Sequence, residues 1–163
     1  MKRILAYDLG TSGVKASLYD EGGCLLAAGY ETYPTFYPAD EWREQKPEEW
    51  WECIKKATKY ITEQCGAKGI GASGVSGHSL GVIAVNACGE LLTETTPIWS
   101  DGRAEKQAAS FFARTDYKRW YEATGNGFPR HLYALFKMMW MKERMPEIYE
   151  QTACFLGSKD YIN

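Results

Sequence analysis

Two runs of residues around the glycine-rich segment Gly10–Gly13 limit the folds of this chain more than any other feature. Residues 4–8 are largely apolar, and after the turn Val14, Ala16 and Leu18 alternate with more polar residues. Alternation with a period of two is typical of a strand with one buried face, whereas a helix repeats every ~3.6 residues. The segment therefore predicts two strands joined as a hairpin.

The rest of the chain predicts further strands and helices. Residues 24–30 follow a glycine turn and predict a third strand, so we expect the chain to begin with an antiparallel meander. Pro47 and a helical spacing of apolar residues predict a helix to residue 65. Later segments predict two strands within 68–92, a helix capped by Ser100, a short helix that ends at Gly125, a helix around residues 132–140, a buried strand at 153–157 and a helix that begins at Ser158.

Composition indicates a folded, soluble domain with a small-molecule partner. The 163 residues are 45% hydrophobic and 25% charged, and the formal net charge is -2. Lysine and arginine are spread along the chain, which argues against nucleic acid or a membrane as a partner. The first apolar stretch ends at Asp8, too early for a signal peptide or a membrane span, so we expect a cytoplasmic protein. The five cysteines are expected to be reduced and mostly buried.

The loop Gly10–Gly13 matches neither of two common phosphate-binding patterns. A Walker loop and a dinucleotide fingerprint both lead into a helix, whereas this loop leads into a strand. Its glycines allow a close approach of the backbone, and the hydroxyls of Thr11 and Ser12, with exposed N–H groups, can bind phosphate oxygens. We therefore expect a phosphate-binding hairpin.

Asp8 and Lys15 flank this loop and carry opposite charges. A carboxylate repels phosphate, so Asp8 suits the site only if it holds a magnesium ion, usually through water, that the phosphates also bind. Lys15 can face the terminal phosphate as a point charge. Alternatively, Asp8 only accepts hydrogen bonds from turn amides, as aspartate does in many turns.

The stretch AYDLGTSGVKASLYD resembles the first phosphate motif of actin-like, sugar-kinase and heat-shock ATPases, and more narrowly that of the FGGY family of carbohydrate kinases. The resemblance extends over nearly the whole chain, and xylulokinase-like members are the most similar. The further matching segments, in this order and at these spacings, are EWREQKPEEWW (41–51), GVSGHSLG (74–81), PIWSDGRA (97–104), KMMWMKERMPEIY (137–149) and SKDYI (158–162).

This resemblance implies a ribonuclease H-like α/β domain, with a mixed sheet that starts with an antiparallel meander and is flanked by helices. It also implies a two-domain kinase that binds ATP, Mg2+ and a sugar in the cleft between its domains. Residues 1–163 then form the front part of the N-terminal domain, and the C-terminal domain lies outside this chain. The family's catalytic base, an aspartate, is expected beyond Asn163, so the chain has no catalytic residue of its own and is expected to be inactive alone.

The resemblance assigns site residues unevenly. The segment W-x-D-x-R lies beside the sugar in the family, which implies that Trp99, Asp101 and Arg103 bind substrate. The alternative is a core Trp99 with an Asp101–Arg103 ion pair at a helix start. Nucleotide and metal binding is implied for Asp8, Gly10, Thr11, Ser12, Gly13 and Lys15, with Asp8 as the metal ligand.

The segment GVSGHSLG departs from the family pattern. Xylulokinases have G-Q-M-H-G here, so His78, Ser79 and Leu80 occupy the positions of Gln, Met and His. We expect these three residues to contact the substrate, and we expect a ketose or polyol other than D-xylulose. Metal binding by His78 lacks further ligands in the sequence.

The signature E-Q-x-P-x-x-W-W predicts that Trp50 and Trp51 belong to the core. Glu44 and Gln45 either line the sugar site or hydrogen-bond the preceding loop. Two function classes remain open: an ATP-dependent sugar kinase, and a non-catalytic actin-like module that senses a sugar or nucleotide. A homodimer is also left open.

Overall fold

The computed structural model describes residues 2–127 and 129–163. The chain divides into two compact units. The first comprises Met1–Thr35, Gln45–Ser79 and Ser158–Asn163, and the second comprises Phe36–Glu44 and Leu80–Gly157.

The described residues form eight strands and six α-helices. The strands are β1 (Arg3–Leu9), β2 (Gly13–Asp20), β3 (Leu25–Thr32), β4 (Glu44–Gln45), β5 (Ile70–Gly77), β6 (Ile83–Val85), β7 (Thr96–Pro97) and β8 (Cys154–Leu156). The helices are α1 (Pro47–Cys65), α2 (Glu105–Phe112), α3 (Tyr117–Thr124), α4 (Ala134–Arg144), α5 (Pro146–Gln151) and α6 (Ser158–Ile162), with a 3-10 turn at Arg130–Leu132.

The first unit is built on a four-stranded mixed sheet with the order β3-β2-β1-β5. Strands β1, β2 and β3 pair antiparallel, and β5 pairs parallel to β1. The predicted meander is therefore confirmed. Leu9 lies opposite Val14, so the hairpin turns at the glycine-rich segment as its alternation predicted.

Helix α1 covers one face of this sheet, because its apolar residues recur on one side. Pro47 occupies the first turn and Gly66 follows the last, as predicted. Ala57 and Ile61 pack with Leu5, Ala16 and Leu18 in one buried cluster.

Only one member of the tryptophan pair belongs to the core. Trp50 is buried, but 47% of Trp51 is exposed, so the prediction for Trp51 is wrong. Neighbouring residues on a helix point about 100° apart, and a helix on one side of a sheet can therefore bury only one of two adjacent large rings.

The second unit has an aromatic core built by its helices. Ala104, Ala108 and Phe136 are buried together, and Phe111 and Trp120 pack against Phe136 with ring centroids 5.5 and 6.0 Å away. Edge-to-face and tilted aromatic pairs of this kind stabilise a core beyond simple burial.

Two local predictions in this unit are revised and one is confirmed. Helix α2 begins at Glu105 after Ala104 and not after Ser100, because the Asp101 carboxylate accepts the backbone N–H of Arg103 and holds the intervening residues in a turn. Strand β8 is not buried, since Cys154 is exposed and its neighbours are half-buried. The end of α3 at Gly125 is confirmed by its left-handed backbone, φ 70°.

All five cysteines are free thiols, and the prediction that most are buried is wrong. Cys53 is buried against the sheet, Cys65 is half-buried, and Cys24, Cys88 and Cys154 are exposed. Within the described ranges, no helix combines the length and apolar character that crossing a membrane requires.

Candidate functional site

The hairpin between β1 and β2 presents opposite charges on one face. Asp8 and Lys15 lie directly opposite each other in the antiparallel register. Residues opposite each other in such a pair project to the same side of the sheet. Both side chains are exposed, so a carboxylate and an ammonium group stand beside the glycine-rich loop.

Gly13 fits a space that no larger residue could occupy. A Cβ atom there would lie 2.3 Å from the carbonyl oxygen of Glu31 and 2.8 Å from the ring of Tyr30. The loop is closed by a hydrogen bond from the N–H of Gly10 to the carbonyl of Gly13, at 3.0 Å. The close packing of backbone on backbone therefore explains the glycine at position 13.

Two buried side chains donate hydrogen bonds to backbone carbonyls of the loop. The Tyr33 hydroxyl donates to the carbonyl of Gly10, and Gln45 Nε2 donates to the carbonyl of Thr11 at 2.7 Å. The Gln45 amide oxygen in turn accepts the indole N–H of Trp50, at 3.1 Å. The sequence left two roles open for Gln45. Its amide hydrogen-bonds the Thr35 hydroxyl in the loop before α1, at 2.8 Å, as well as the glycine-rich loop.

Asp8 can hold a magnesium ion in the manner that Mg2+ usually adopts. Among residues 2–127 and 129–163, no three histidine, cysteine, aspartate or glutamate side chains cluster as a metal cage. Mg2+ commonly keeps several waters and binds one or two carboxylates together with substrate phosphates. The single exposed carboxylate of Asp8, beside the glycine-rich loop, is compatible with that pattern.

His78 lies at the end of β5, next to the end of β1. The backbone N–H of His78 donates to the carbonyl of Leu9 at 3.0 Å, and its backbone carbonyl accepts the Ser158 hydroxyl. The imidazole ring stands edge-on to the ring of Trp50, with centroids 5.3 Å apart. Both ring nitrogens are buried, with no hydrogen-bond partner in the part of the chain that the structure describes. Burial lowers the pKa of His78 to about 4, so the imidazole is neutral at physiological pH.

In the second unit, Arg103 is the centre of a buried charge network. Its guanidinium binds Asp101 through two hydrogen bonds of 2.8 and 2.7 Å and binds Glu44 at 2.6 Å. It also stacks on Trp42 and Trp140, whose ring centroids lie 3.9 and 4.9 Å from its Cζ. A guanidinium with paired carboxylates and aromatic faces is a rigid element.

This network matches the predicted alternative of an Asp101–Arg103 pair near a helix start. Trp99, in contrast, is not a core residue, because 40% of it is exposed. Contacts of Trp99, Asp101 and Arg103 with a sugar remain predictions. A cavity of about 790 Å³ lies beside the network, lined in part by Trp42, Glu44, Arg103 and Trp140.

Lys137 is a buried residue that the sequence analysis missed. Its ammonium group donates to the carbonyls of Leu80 and Leu132 and lies 3.5 Å from that of Trp99. Burial lowers its pKa to about 8; Asp101 opposes this change and Arg103 adds to it. The sequence did hold one signal of this burial: Lys137 lies four residues before the buried Met141, and residues four apart share one face of a helix.

Leu80 has a left-handed backbone, with φ 64°. This conformation is costly for a residue with a Cβ, and surrounding contacts must hold it. The Lys137 ammonium supplies one such contact, at 3.2 Å from the Leu80 carbonyl. Lys137 therefore contacts the backbone carbonyls of both Leu80 and Trp99, two of the predicted substrate residues.

A mixed sheet that opens with an antiparallel meander, carries a glycine hairpin and is covered by helices defines an actin-like α/β domain. The chain belongs to the FGGY family of carbohydrate kinases, because the sequence model of that family's N-terminal domain matches residues 3–163.

Curated relatives and solved structures agree with this assignment. The chain is 33% identical over 158 residues to xylulose kinase of Escherichia coli K12, covering 97% of this chain and 32% of that enzyme. It is 31% identical over 160 residues to gluconokinase of Bacillus subtilis 168, covering 98% of this chain and 31% of that enzyme. The crystal structure of ligand-bound xylulose kinase from Lactobacillus acidophilus superposes with a TM-score of 0.91 at 25% identity, covering 99% of this chain and 32% of that chain. The chain thus spans about a third of the length of these relatives.

Proposed function

We propose that the protein carrying this chain is an ATP-dependent carbohydrate kinase that phosphorylates a ketose or polyol. The observation that supports this proposal is the hairpin, where exposed Asp8 and Lys15 stand opposite each other beside a glycine loop. Opposite charges next to backbone donors suit a metal-bound polyphosphate better than a neutral ligand.

In this proposal the hairpin handles the nucleotide. The N–H and hydroxyl groups of Thr11 and Ser12 bind phosphate oxygens, and Lys15 faces the terminal phosphate. Asp8 would hold a magnesium ion, and that ion, when bound, would neutralise charge that develops during phosphoryl transfer.

The substrate residues are proposed in each unit separately. In the first unit, the neutral His78 and Ser79 offer polar groups at the end of β5. In the second, Leu80 and Trp99 contact the sugar, and an aromatic face suits its C–H surface. The buried Arg103 binds both Asp101 and Glu44, so Asp101 and Arg103 are proposed to shape the sugar site with few donors left for hydroxyls.

The substrate within this class is proposed to differ from D-xylulose, because Ser79 and Leu80 replace the Met-His pair of xylulokinases. The relatives named above include xylulose kinases and a gluconokinase. A panel of pentuloses, hexuloses, polyols and gluconate therefore tests this proposal. Highest kcat/KM for D-xylulose would refute the argument from Ser79 and Leu80.

We also propose that residues 1–163 are the front part of the N-terminal domain and that the catalytic base lies in a C-terminal domain. The alternative, a non-catalytic module that senses a sugar or nucleotide, shares the same hairpin. The sequence of the reading frame beyond Asn163 separates the two, since a base aspartate followed by a second glycine-rich phosphate segment favours the enzyme.

The kinase proposal is tested with the full-length protein that carries this chain. We expect sugar-dependent ADP release, and we expect Asp8→Asn to lower kcat by about 100-fold or more because the metal loses its carboxylate. Asp20→Asn is the matched control, since an amide oxygen can still accept the turn N–H groups of Gly22 and Cys24. Absence of ADP release with every sugar, despite ATP binding, would favour the sensor.

A further inference from the structure

Two successive carbonyl groups of the glycine loop are bound by side chains that share one neighbour: the Tyr33 ring lies 6.4 Å from that of Trp50, and Gln45 accepts the Trp50 indole N–H. Gly10 O accepts the Tyr33 hydroxyl, and Thr11 O accepts Gln45 Nε2 at 2.7 Å. Both donors are buried, and they come from segments 23 and 34 residues further along the chain. The backbone of the loop is therefore fixed by side chains outside it.

The direction of these carbonyls sets the direction of the next N–H groups. In a trans peptide, the C=O of one residue and the N–H of the following residue point in opposite directions. With the carbonyls of Gly10 and Thr11 directed to Tyr33 and Gln45, the N–H groups of Thr11 and Ser12 are directed to the opposite face. Two consecutive N–H groups on one face form a concave binding site for an anion.

Gln45 is itself held in one orientation. Nε2 also donates to the Thr35 hydroxyl at 2.8 Å, and Oε1 accepts the indole N–H of Trp50 at 3.1 Å. These contacts fix which end of the amide faces Thr11, because an indole can only donate. Trp50 is buried on α1, so the loop is connected through Gln45 to the core of the first unit.

We propose that Tyr33 and Gln45 are positioning residues that aim the N–H groups of Thr11 and Ser12 at the phosphates of ATP. This inference rests on the proposed kinase function, because it takes the nucleotide phosphates as the anion. Neither side chain contacts the nucleotide; each acts through a loop carbonyl.

Isosteric substitutions test the inference in the full-length protein. Tyr33→Phe removes only the hydroxyl, and Gln45→Glu replaces a donor to Thr11 O by an acceptor. We expect each to raise KM for ATP by about tenfold, with KM for the sugar unchanged. The matched control is Tyr7→Phe, which loses the 2.6 Å hydrogen bond with the Thr58 hydroxyl but does not contact the loop.

A second measurement does not depend on turnover. Backbone 15N order parameters at Thr11 and Ser12 are expected to be lower in Tyr33→Phe and Gln45→Glu than in wild type, and unchanged in Tyr7→Phe. Gln45→Met replaces Gln45→Glu if the buried carboxylate prevents folding.

The outcomes separate the two proposals. If wild type phosphorylates a sugar but both variants match Tyr7→Phe in KM and order parameters, the positioning role is overturned. Equal increases in the KM values for ATP and sugar would indicate general loss of structure and would also overturn it. If wild type releases no ADP with any sugar, the kinase proposal fails, and unchanged order parameters in the variants would still exclude that Tyr33 and Gln45 hold the loop.

Discussion

His78 is expected to make the stability of the protein depend on pH below neutrality. Its ring nitrogens are buried without a hydrogen-bond partner among the described residues, and burial lowers its pKa from 6.5 to about 4. Between these two values the unfolded chain binds a proton at this histidine and the folded chain does not. Stability is therefore fully present above pH 6.5 and falls as the pH falls toward 4.

The difference between the two pKa values sets the magnitude. It corresponds to at most about 3 kcal/mol of unfolding free energy, lost progressively across the window. Replacement by phenylalanine keeps a ring against Trp50, 5.3 Å away in the wild type, and removes the titration. His78→Phe should therefore gain up to about 3 kcal/mol relative to wild type between neutral pH and pH 4.

Urea unfolding followed by tryptophan fluorescence measures this free energy at a series of pH values. The chain has two histidines, so His131→Phe is the matched control and should follow wild type. All three proteins contain the same carboxyl groups, so the contribution of these groups cancels in the differences. Parallel pH profiles for wild type and His78→Phe would refute the conclusion that the buried imidazole stays neutral.

Three further predictions concern the buried charges and the isolated chain. Arg103→Met should lower the unfolding free energy by about 3–5 kcal/mol, because it leaves the carboxylates of Asp101 and Glu44 buried without the guanidinium that pairs with them. Urea unfolding measures this loss, and a value below about 1 kcal/mol would contradict the prediction. Lys137 has a folded pKa of about 8 against 10.5 when exposed, so the stability of wild type should rise as pH increases through this window. Lys137→Met should lack that rise, whereas Lys142→Met, on the exposed part of α4, should retain it. Residues 1–163 alone should not release ADP with any sugar and should bind ATP-Mg with a Kd of about 1 mM or weaker by calorimetry, since phosphate contacts in an open site are largely matched by water.

Local patterns were sufficient for the first part of the fold. The alternation around Gly10–Gly13 predicted the hairpin and the meander. Pro47 and the helical spacing of apolar residues predicted both the start and the end of α1. These elements form between segments that are close in sequence, so the period of the apolar residues and the residues of the turns are enough to predict them. The candidate phosphate loop could be located for the same reason.

Local patterns failed where burial depended on a partner distant in sequence. Trp51 has the same apolar character as Trp50, and only the packing of α1 on the sheet decides which one is buried. The start of α2 was missed for a different, local reason: Ser100 is a good capping residue, but the Asp101 carboxylate binds the amide of Arg103, two residues away, and the helix begins later. Composition could not show that most cysteines are exposed.

The amino-acid sequence by itself determined most strand and helix types, the position of the glycine-rich hairpin and the family. Tertiary structure decided which polar residues support the site. Gln45 binds Thr11 across 34 residues, Arg103 binds Glu44 across 59, and Lys137 binds Leu80 across 57. A buried polar group needs a partner, but its sequence neighbours do not specify which distant carbonyl or carboxylate the fold will bring to it.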